Sequence, residues 1–237
     1  MSKGQVKYAK NFPFQEVMGS LLYLAINTRP DIAYAVSVLC RFNNNPTFSA
    51  CRGAVRLLYY IRRTLDYGIQ YSGDQLNPEG WSDSDFGGDL DTRRSRTGSM
   101  MCLANGPISW TSTLQKTLAS SSMEAEYMAA YDMVTDVSWT VGVSRELGID
   151  LLGNGPINVF MDNKSAIALA NNPVFHKRSK HIDIKYHWLR QKVSEGVVRL
   201  LYVRTDEQLT DIFTKGLAYP RFMMLVHRVR GYQKINK

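Results

Sequence analysis

The chain has 237 residues, 44% of them hydrophobic, and carries 29 Lys and Arg against 21 Asp and Glu, a formal net charge of +8. That length and apolar share suit one large or two modest globular domains with a real core. Three cysteines (Cys40, Cys51 and Cys102) are odd in number and lack metal-ligand spacing, and the longest apolar run, Val17 to Ile26, is too short for a bilayer, so a disulfide framework, a zinc site and a membrane span are excluded.

The stretch Met1 to Lys10 is polar and basic, without a secretory pattern, and a soluble intracellular, cytoplasmic protein is expected. The basic balance favours a polyanionic partner. Residues 1–12 read as a loose leader. Glu16 to Ile26 reads as a helix. Thr28-Arg29-Pro30-Asp31 opens another, with proline where a missing N–H costs nothing, and runs to Phe42. After the break Asn43-Asn44-Asn45-Pro46, Thr47 caps a third helix to about Leu65, with Gly68 past its end. Ile69 to Tyr71 is a short strand, which closes a mostly helical unit over 13–72. Residues 73–80 are turn-rich and read as a linker.

The pattern then changes. Trp81 to Phe86, Ser99 to Leu103 and Pro107 to Ser112 read as strands, the last two joined by a hairpin at Asn105-Gly106. Ser120-Ser121-Ser122 caps a long helix ended by Gly148. Ile157 to Met161 is a strand, Ser165 to Ala170 and His181 to Ser194 are helices, Val197 to Val203 is a strand, and Leu209 to Leu217 is a helix. The order β-β-β-α-β-α-α-β-α predicts a mixed five-stranded α/β sheet over 81–217, three strands antiparallel and then parallel additions, with helices on its faces. Residues 218–237 read as a basic, poorly ordered tail.

Four acids stand at junctions of these elements. Asp83 and Asp85 are two apart and share a strand face; Asp83, within the strand, is the preferred ligand. Glu126 lies about 60° from the centre of its helix's apolar stripe and Glu124 about 100°, which places Glu126 nearer the sheet. Asp162 ends a strand and precedes a helix, where open α/β sheets bind ligands. Asp211 opens the last helix. Gathered at one point, these carboxylates repel unless cations sit among them, and paired divalent ions on carboxylates are machinery for phosphodiester chemistry.

The chain also resembles a known family. Gly19-Ser20-Leu21-Leu22-Tyr23-Leu24, Thr28-Arg29-Pro30-Asp31-Ile32-Ala33-Tyr34, Trp81-Ser82-Asp83-Ser84-Asp85-Phe86-Gly87-Gly88-Asp89 and Glu124-Ala125-Glu126-Tyr127-Met128 occur in order, followed by Asp162-Asn163-Lys164-Ser165-Ala166-Ile167, Lys180-His181-Ile182-Asp183-Ile184 and Thr210-Asp211-Ile212-Phe213-Thr214-Lys215. Over about residues 13–217 this is similar to the Pol polyprotein of Ty/copia-type LTR retrotransposons, namely the end of reverse transcriptase followed by RNase H. The resemblance implies an RNase H-like fold and an endonuclease that hydrolyses the RNA strand of RNA–DNA hybrids, leaving a 5′-phosphate. It implies two magnesium ions, with manganese able to substitute, on Asp83, Glu126, Asp162 and Asp211. Asp183 is a rival for the fourth place, ranked lower because it precedes the last strand.

It further implies a hybrid held through its backbone by Lys164, Ser165, Lys177, Arg178, Lys180, His181 and Lys185, and an upstream polymerase part as partner, in a virus-like particle if the element is intact. The chain departs from the family at Ser49-Ala50-Cys51, where a His-Trp pair is common, at Met123, and in Arg204 to Gln208, which lacks a histidine near the product. These departures keep a second expectation open, a silent transposon remnant acting at most as a nucleic-acid-binding module. An integrase-like nuclease is disfavoured by the Glu124–Tyr127 and Asp211–Lys215 motifs.

Overall fold

The structure, a computed structural model, describes residues 3–72, 76–171, 180–229 and 231–234. Helices α1 (Lys3–Asn11), α2 (Phe14–Asn27), α3 (Ala33–Cys40) and α4 (Phe48–Arg63) come first, then strand β1 (Tyr67–Ile69). Strands β2 (Glu79–Ser84), β3 (Arg96–Leu103) and β4 (Gly106–Leu114) precede α5 (Ser122–Glu146). The chain continues through β5 (Ile157–Met161), α6 (Lys164–Asn171), α7 (Lys180–Ser194), β6 (Val198–Tyr202), α8 (Asp211–Thr214), α9 (Tyr219–Arg228) and β7 (Tyr232–Lys234).

The main sheet has the order β4-β3-β2-β5-β6. β4, β3 and β2 pair antiparallel, and β2–β5 and β5–β6 pair parallel. Three antiparallel strands followed by two parallel additions, with α5 crossing between them, is the RNase H-like arrangement. β3 is buried on both faces because its side chains alternate. Met101 joins Tyr127, Met133, Val134 and Val137 of α5 and Val159 and Met161 of β5, whereas Met100 and Cys102 join Ile212, Phe213, Leu225 and Val226 beyond the opposite face.

The N-terminal helices form their own core. Phe14, Met18, Leu21 and Ala25 recur on one face of α2 and meet Ile32, Val36 and the small residues Ala50, Cys51 and Ala54 of α4. The Thr47 hydroxyl accepts the Ala50 N–H at 3.1 Å, a side-chain cap for α4. Buried Arg29 holds Asp31 through two bonds of 3.0 and 2.8 Å, and the Tyr60 hydroxyl adds a third at 2.6 Å. This unit is bolted to the sheet. Trp110 Nε1 donates to the Ala25 carbonyl at 2.6 Å, Arg96 donates to Ser37 Oγ at 2.6 Å, and Arg41 pairs with Asp89.

Five expectations need correction. Residues 3–11 are a helix rather than a loose leader, because Ala9 is buried and Tyr8 packs edge-on against Phe48 at 5.4 Å. β2 begins at Glu79, inside the expected linker. The hairpin turn is centred one residue early: Ala104 and Asn105 take the positive φ values (49° and 60°), and Leu103 pairs with Gly106. Gly106 is needed for space instead, since a Cβ there would lie 2.6 Å from the Tyr71 ring. The helix expected over 209–217 is the single turn α8, preceded by a 3-10 turn at Thr205–Glu207. The expected tail is ordered as α9 and β7; Leu225, Val226 and Val229 are buried, and β7 pairs antiparallel with β1.

Candidate active site

Asp83 and Asp162 come together through strand register. β2 and β5 run parallel with Trp81 opposite Phe160, so continuing two residues brings Asp83 beside Asp162 at the C-terminal edge. Parallel neighbours end on the same side of a sheet, which is where such sheets place their chemistry. Glu126 arrives from the second turn of α5. Ser121 caps that helix by accepting the Glu124 N–H at 3.2 Å, and Glu124 turns back to accept the Ser120 N–H at 2.7 Å. Glu124 is thereby occupied with the helix start, and Glu126 points inward with its Oε1 3.4 Å from the Ser84 N–H.

Carboxylate oxygens of Asp83, Glu126 and Asp162 lie within 4.8 Å of one another. Asp83 and Glu126 are only 1% and 5% exposed. Glu126 Oε2 is buried without a hydrogen-bond partner, although nearly every buried polar atom in a protein has one. Burial, reinforced by Asp83 and Asp162, pushes the Glu126 carboxyl up to about 9. Burial also pushes Asp83 up to about 6, against the lowering pull of the Lys215 ammonium and the Thr214 hydroxyl. Thr205 Oγ1 donates to Asp162 at 2.9 Å. Three convergent oxygen donors, one of them unpartnered and two, Asp83 and Glu126, disfavoured by burial as bare anions, fit a hard divalent cation.

Asp211 stands apart from that trio. Its Oδ1 accepts from Lys215 Nζ at 2.6 Å, and its Oδ2 is 3.3 Å from Arg221 of α9. Lys215 also reaches Asp83 at 3.3 Å, so the fourth acid joins the site through a cation of the chain itself. Burial works to lower the Lys215 pKa, but Asp83 and Asp211 outweigh it and hold the ammonium above its ordinary value. Both partners of this pair are pushed up, which disfavours the Asp83 anion and favours the Lys215 cation: burial dominates at Asp83, whereas Lys215 keeps about a third of its side chain in solvent. Asp85 is spent on the β2–β3 loop, accepting the Arg96 N–H at 2.5 Å.

Among the residues expected to hold nucleic acid, Lys164 and Ser165 are exposed beside Asp162 at the start of α6, where Asn163 Oδ1 caps the Ala166 N–H at 2.9 Å. Lys164 lies over the Tyr202 ring at 4.5 Å and Lys185 over Tyr131 at 4.9 Å. Lys177 and Arg178 lie outside the described residues. Lys180, His181 and Asp183 belong to α7, with side chains outside the description.

Sequence reasoning gave no role to Lys215, Thr214, Thr205, Gly98 or Arg221. Lys215 carried a signal, standing one helical turn after Asp211, where opposite charges meet. Gly98 lies directly opposite Asp83, and a Cβ there would come 2.7 Å from Thr214 and 2.8 Å from Phe213. Its bare backbone lets α8 close onto β3.

No family model matches the chain. The Pol polyprotein of transposon TNT 1-94 from Nicotiana tabacum is 38% identical over 210 residues, 89% of this chain and 16% of that protein. The Pol polyprotein of transposon RE1 from Arabidopsis thaliana is 39% identical over 217 residues, 91% of this chain and 15% of that protein. Among solved structures, an N-terminal RNase H domain from Mycobacterium tuberculosis superposes on 65% of this chain and 99% of its own, at 12% identity and a TM-score of 0.42. By its own strand order the chain has the RNase H-like fold, with an acidic cluster at the sheet edge. It belongs to the retrovirus-related Pol polyproteins of copia-type transposons. It spans about a sixth of the length of those relatives.

Proposed function

We propose that this chain is an RNase H-type endonuclease that hydrolyses the RNA strand of RNA–DNA hybrids with divalent ions. The observation that carries the reading is the convergence of buried Asp83 and Glu126 with half-buried Asp162, with Glu126 Oε2 left unpartnered. Asp83, Glu126 and Asp162 would hold one ion, and Asp83 with Asp211 a second; their all-oxygen donor set suits magnesium or manganese. Ions so held supply Lewis-acid stabilisation of the phosphoryl oxygens and lower the pKa of a bound water.

The chain's own groups prepare that chemistry. Thr214 and Lys215 orient the Asp83 carboxylate, and Thr205 orients Asp162. Glu126, whose carboxyl burial keeps protonated, would give its proton to solvent on taking up a cation. Lys164 and Ser165 stand where the strand backbone would pass Asp162, and Lys177, Arg178, Lys180, His181 and Lys185 complete the expected phosphate contacts. Selectivity for the hybrid would come from its shape and 2′-hydroxyls rather than from base edges. Upstream polymerase sequence is the expected protein partner, and Tyr23 and Ile26 of α2, 68% and 64% exposed, offer it an apolar face.

The test is cleavage of an end-labelled RNA–DNA hybrid in magnesium, beside Asp162→Asn. Cleavage by the parent and its loss in the variant support the assignment. A folded parent that binds hybrid without cutting it overturns the assignment in favour of a silent, nucleic-acid-binding remnant.

A further inference from the structure

The basic excess of this chain is unevenly placed. α1 contains Lys3, Lys7 and Lys10, α4 contains Arg52, Arg56, Arg62 and Arg63, and neither helix has an Asp or Glu. Along α4, Arg52, Arg56, Tyr59 and Arg63 recur at steps of four, three and four, which aligns them on one face. All four are exposed, while Ala50, Cys51 and Ala54 on the opposite side are buried. The three arginines make no ion pair among the described residues, whereas Arg29, Arg41 and Arg221 each hold a carboxylate. A helix face that merely keeps a protein soluble usually mixes signs; this one does not.

Two grooves lead from the first part of the stripe toward Lys215 at the edge of the acidic site. Tyr8, Ser49, Arg52, Arg56 and Tyr59 line a groove of about 590 Å³ between α1 and α4. A second groove of about 430 Å³ shares Gly53 and Arg56 with the first and extends to Lys215, the residue that bridges Asp83 and Asp211. From Arg52 to Arg63 the helix covers roughly 16 Å at its ordinary rise, which matches about five nucleotides of one duplex strand.

We infer that this α4 face is a second nucleic-acid contact, gripping the phosphate backbone of duplex that continues beyond the acidic site. The inference takes its substrate from the hybrid-nuclease reading above. Guanidinium groups pair with phosphate oxygens in a bidentate fork, and neutralising each phosphate releases condensed counterions. Tyr59, between Arg56 and Arg63, presents a ring to sugar or to an unpaired base. Arginines that grip phosphates carry no base readout, so a contact made by them is independent of sequence.

The experiment is fluorescence anisotropy of the full chain with RNA–DNA hybrids of about 24 and about 8 base pairs, in calcium, over a salt series. The variants are Arg52→Gln, Arg56→Gln, Arg63→Gln and their triple combination. On the long hybrid, each removed contact should lower the slope of log affinity against log salt by about 0.9. The triple variant should bind at least tenfold more weakly near 0.1 M salt, roughly the effect of losing two to three phosphate contacts. Affinity for the short hybrid should hold, and a triple Arg→Lys variant should keep most of the slope. An unchanged slope on the long hybrid overturns the proposal and leaves the stripe to a protein partner. An equal fall on both lengths also overturns it, as a general effect of net charge. In the magnesium cleavage assay above, a parent that binds without cleaving retires the nuclease reading while the slopes still judge α4; cleavage there with unchanged slopes here retires the α4 contact alone.

Discussion

Lys215 donates a 2.6 Å hydrogen bond to Asp211, the acid one helical turn before it, and the same ammonium lies 3.3 Å from Asp83 on β2. With Arg221 on the other oxygen of Asp211, the Asp83–Asp211 side of the site is balanced by two cations of the chain itself. Among the described residues, no ion pair reaches Glu126 or Asp162. The four acids are therefore unequal, and on the reading proposed above a first divalent ion should enter where Glu126 Oε2 lies buried and unpartnered.

From this asymmetry, Lys215→Met should strengthen binding of a second divalent ion about tenfold, equivalent to roughly 1.4 kcal/mol, because the resident ammonium no longer competes. The first ion should bind as before. Calorimetric titration with manganese reads both steps. Without metal the variant should lose only about 1 kcal/mol of stability, because Lys215 is partly solvated and its pairs are screened. An unchanged second step would show that Lys215 does not occupy that position.

The ion-free protein should lose stability as pH rises. Asp83 and Glu126 have folded-state pKa values of about 6 and about 9, against ordinary values of 3.8 and 4.5. From just above their ordinary values up to about 6 for Asp83 and about 9 for Glu126, each carboxyl is protonated in the fold while the unfolded chain has already ionised it. The native state binds more protons, so stability is full below about pH 4 and declines through about 6 and then about 9. Glu126→Gln should flatten the upper part of that decline and raise stability at pH 8 by on the order of 2 kcal/mol, while removing the first metal site. Melting temperatures from pH 4 to 9 in a chelator give the answer. A decline that persists undiminished in Glu126→Gln would assign it to other groups.

Much of this architecture is written locally in the sequence. Period-two runs, the Ser121 cap and the glycines at 148 and 196 mark elements whose signals lie within a few residues of one another. The convergence of Asp83 and Asp162 follows from parallel strands ending together, and Glu126 was separable from Glu124 by its angle on α5. What escaped depends on distant partners. α9 looks like a charged tail because Leu225, Val226 and Val229 stand among His227, Arg228 and Arg230, and only the far face of β3 makes them core. β7 is a strand only because β1, far earlier in the chain, pairs with it. Lys215 was visible in a motif, but its reach to Asp83 depends on how closely α8 approaches the sheet.

That approach depends on Gly98. An added methyl group would meet Thr214 Cγ2 at 2.7 Å, Phe213 Cβ at 2.8 Å and the Thr210 carbonyl at 3.0 Å. Two of these belong to the backbone or its first carbon, so rotation of a side chain cannot make room. Gly98→Ala should lift α8 from β3, destabilise the fold by about 1–3 kcal/mol and draw Lys215 and Asp211 away from Asp83. Urea denaturation measures the first effect and hybrid cleavage the second. Wild-type stability together with wild-type cleavage would mean that α8 tolerates the displacement and that its close approach is not required.

The C-terminal helix should be as necessary to the site as the strands. Leu225, Val226 and Val229 are 0%, 0% and 2% exposed, and burying such side chains contributes roughly 1.5–3 kcal/mol each. Arg221 adds bonds to the Thr205 and Asp206 carbonyls, which fix the turn that carries Thr205 to Asp162, and it holds Asp211 at 3.3 Å. A chain cut after Ala218 loses all of this and the β1–β7 pair, so it should unfold at much lower urea or fail to fold. Arg221→Ala isolates the local part. It should cost only about 1–2 kcal/mol, yet raise hydrogen exchange across 203–211 and weaken cleavage more than it weakens hybrid binding. If the cut chain unfolds at the same urea concentration as the parent, α9 rests on the sheet without supporting it; if Arg221→Ala leaves exchange in that turn unchanged, the link from the C-terminal helix to Asp162 is broken.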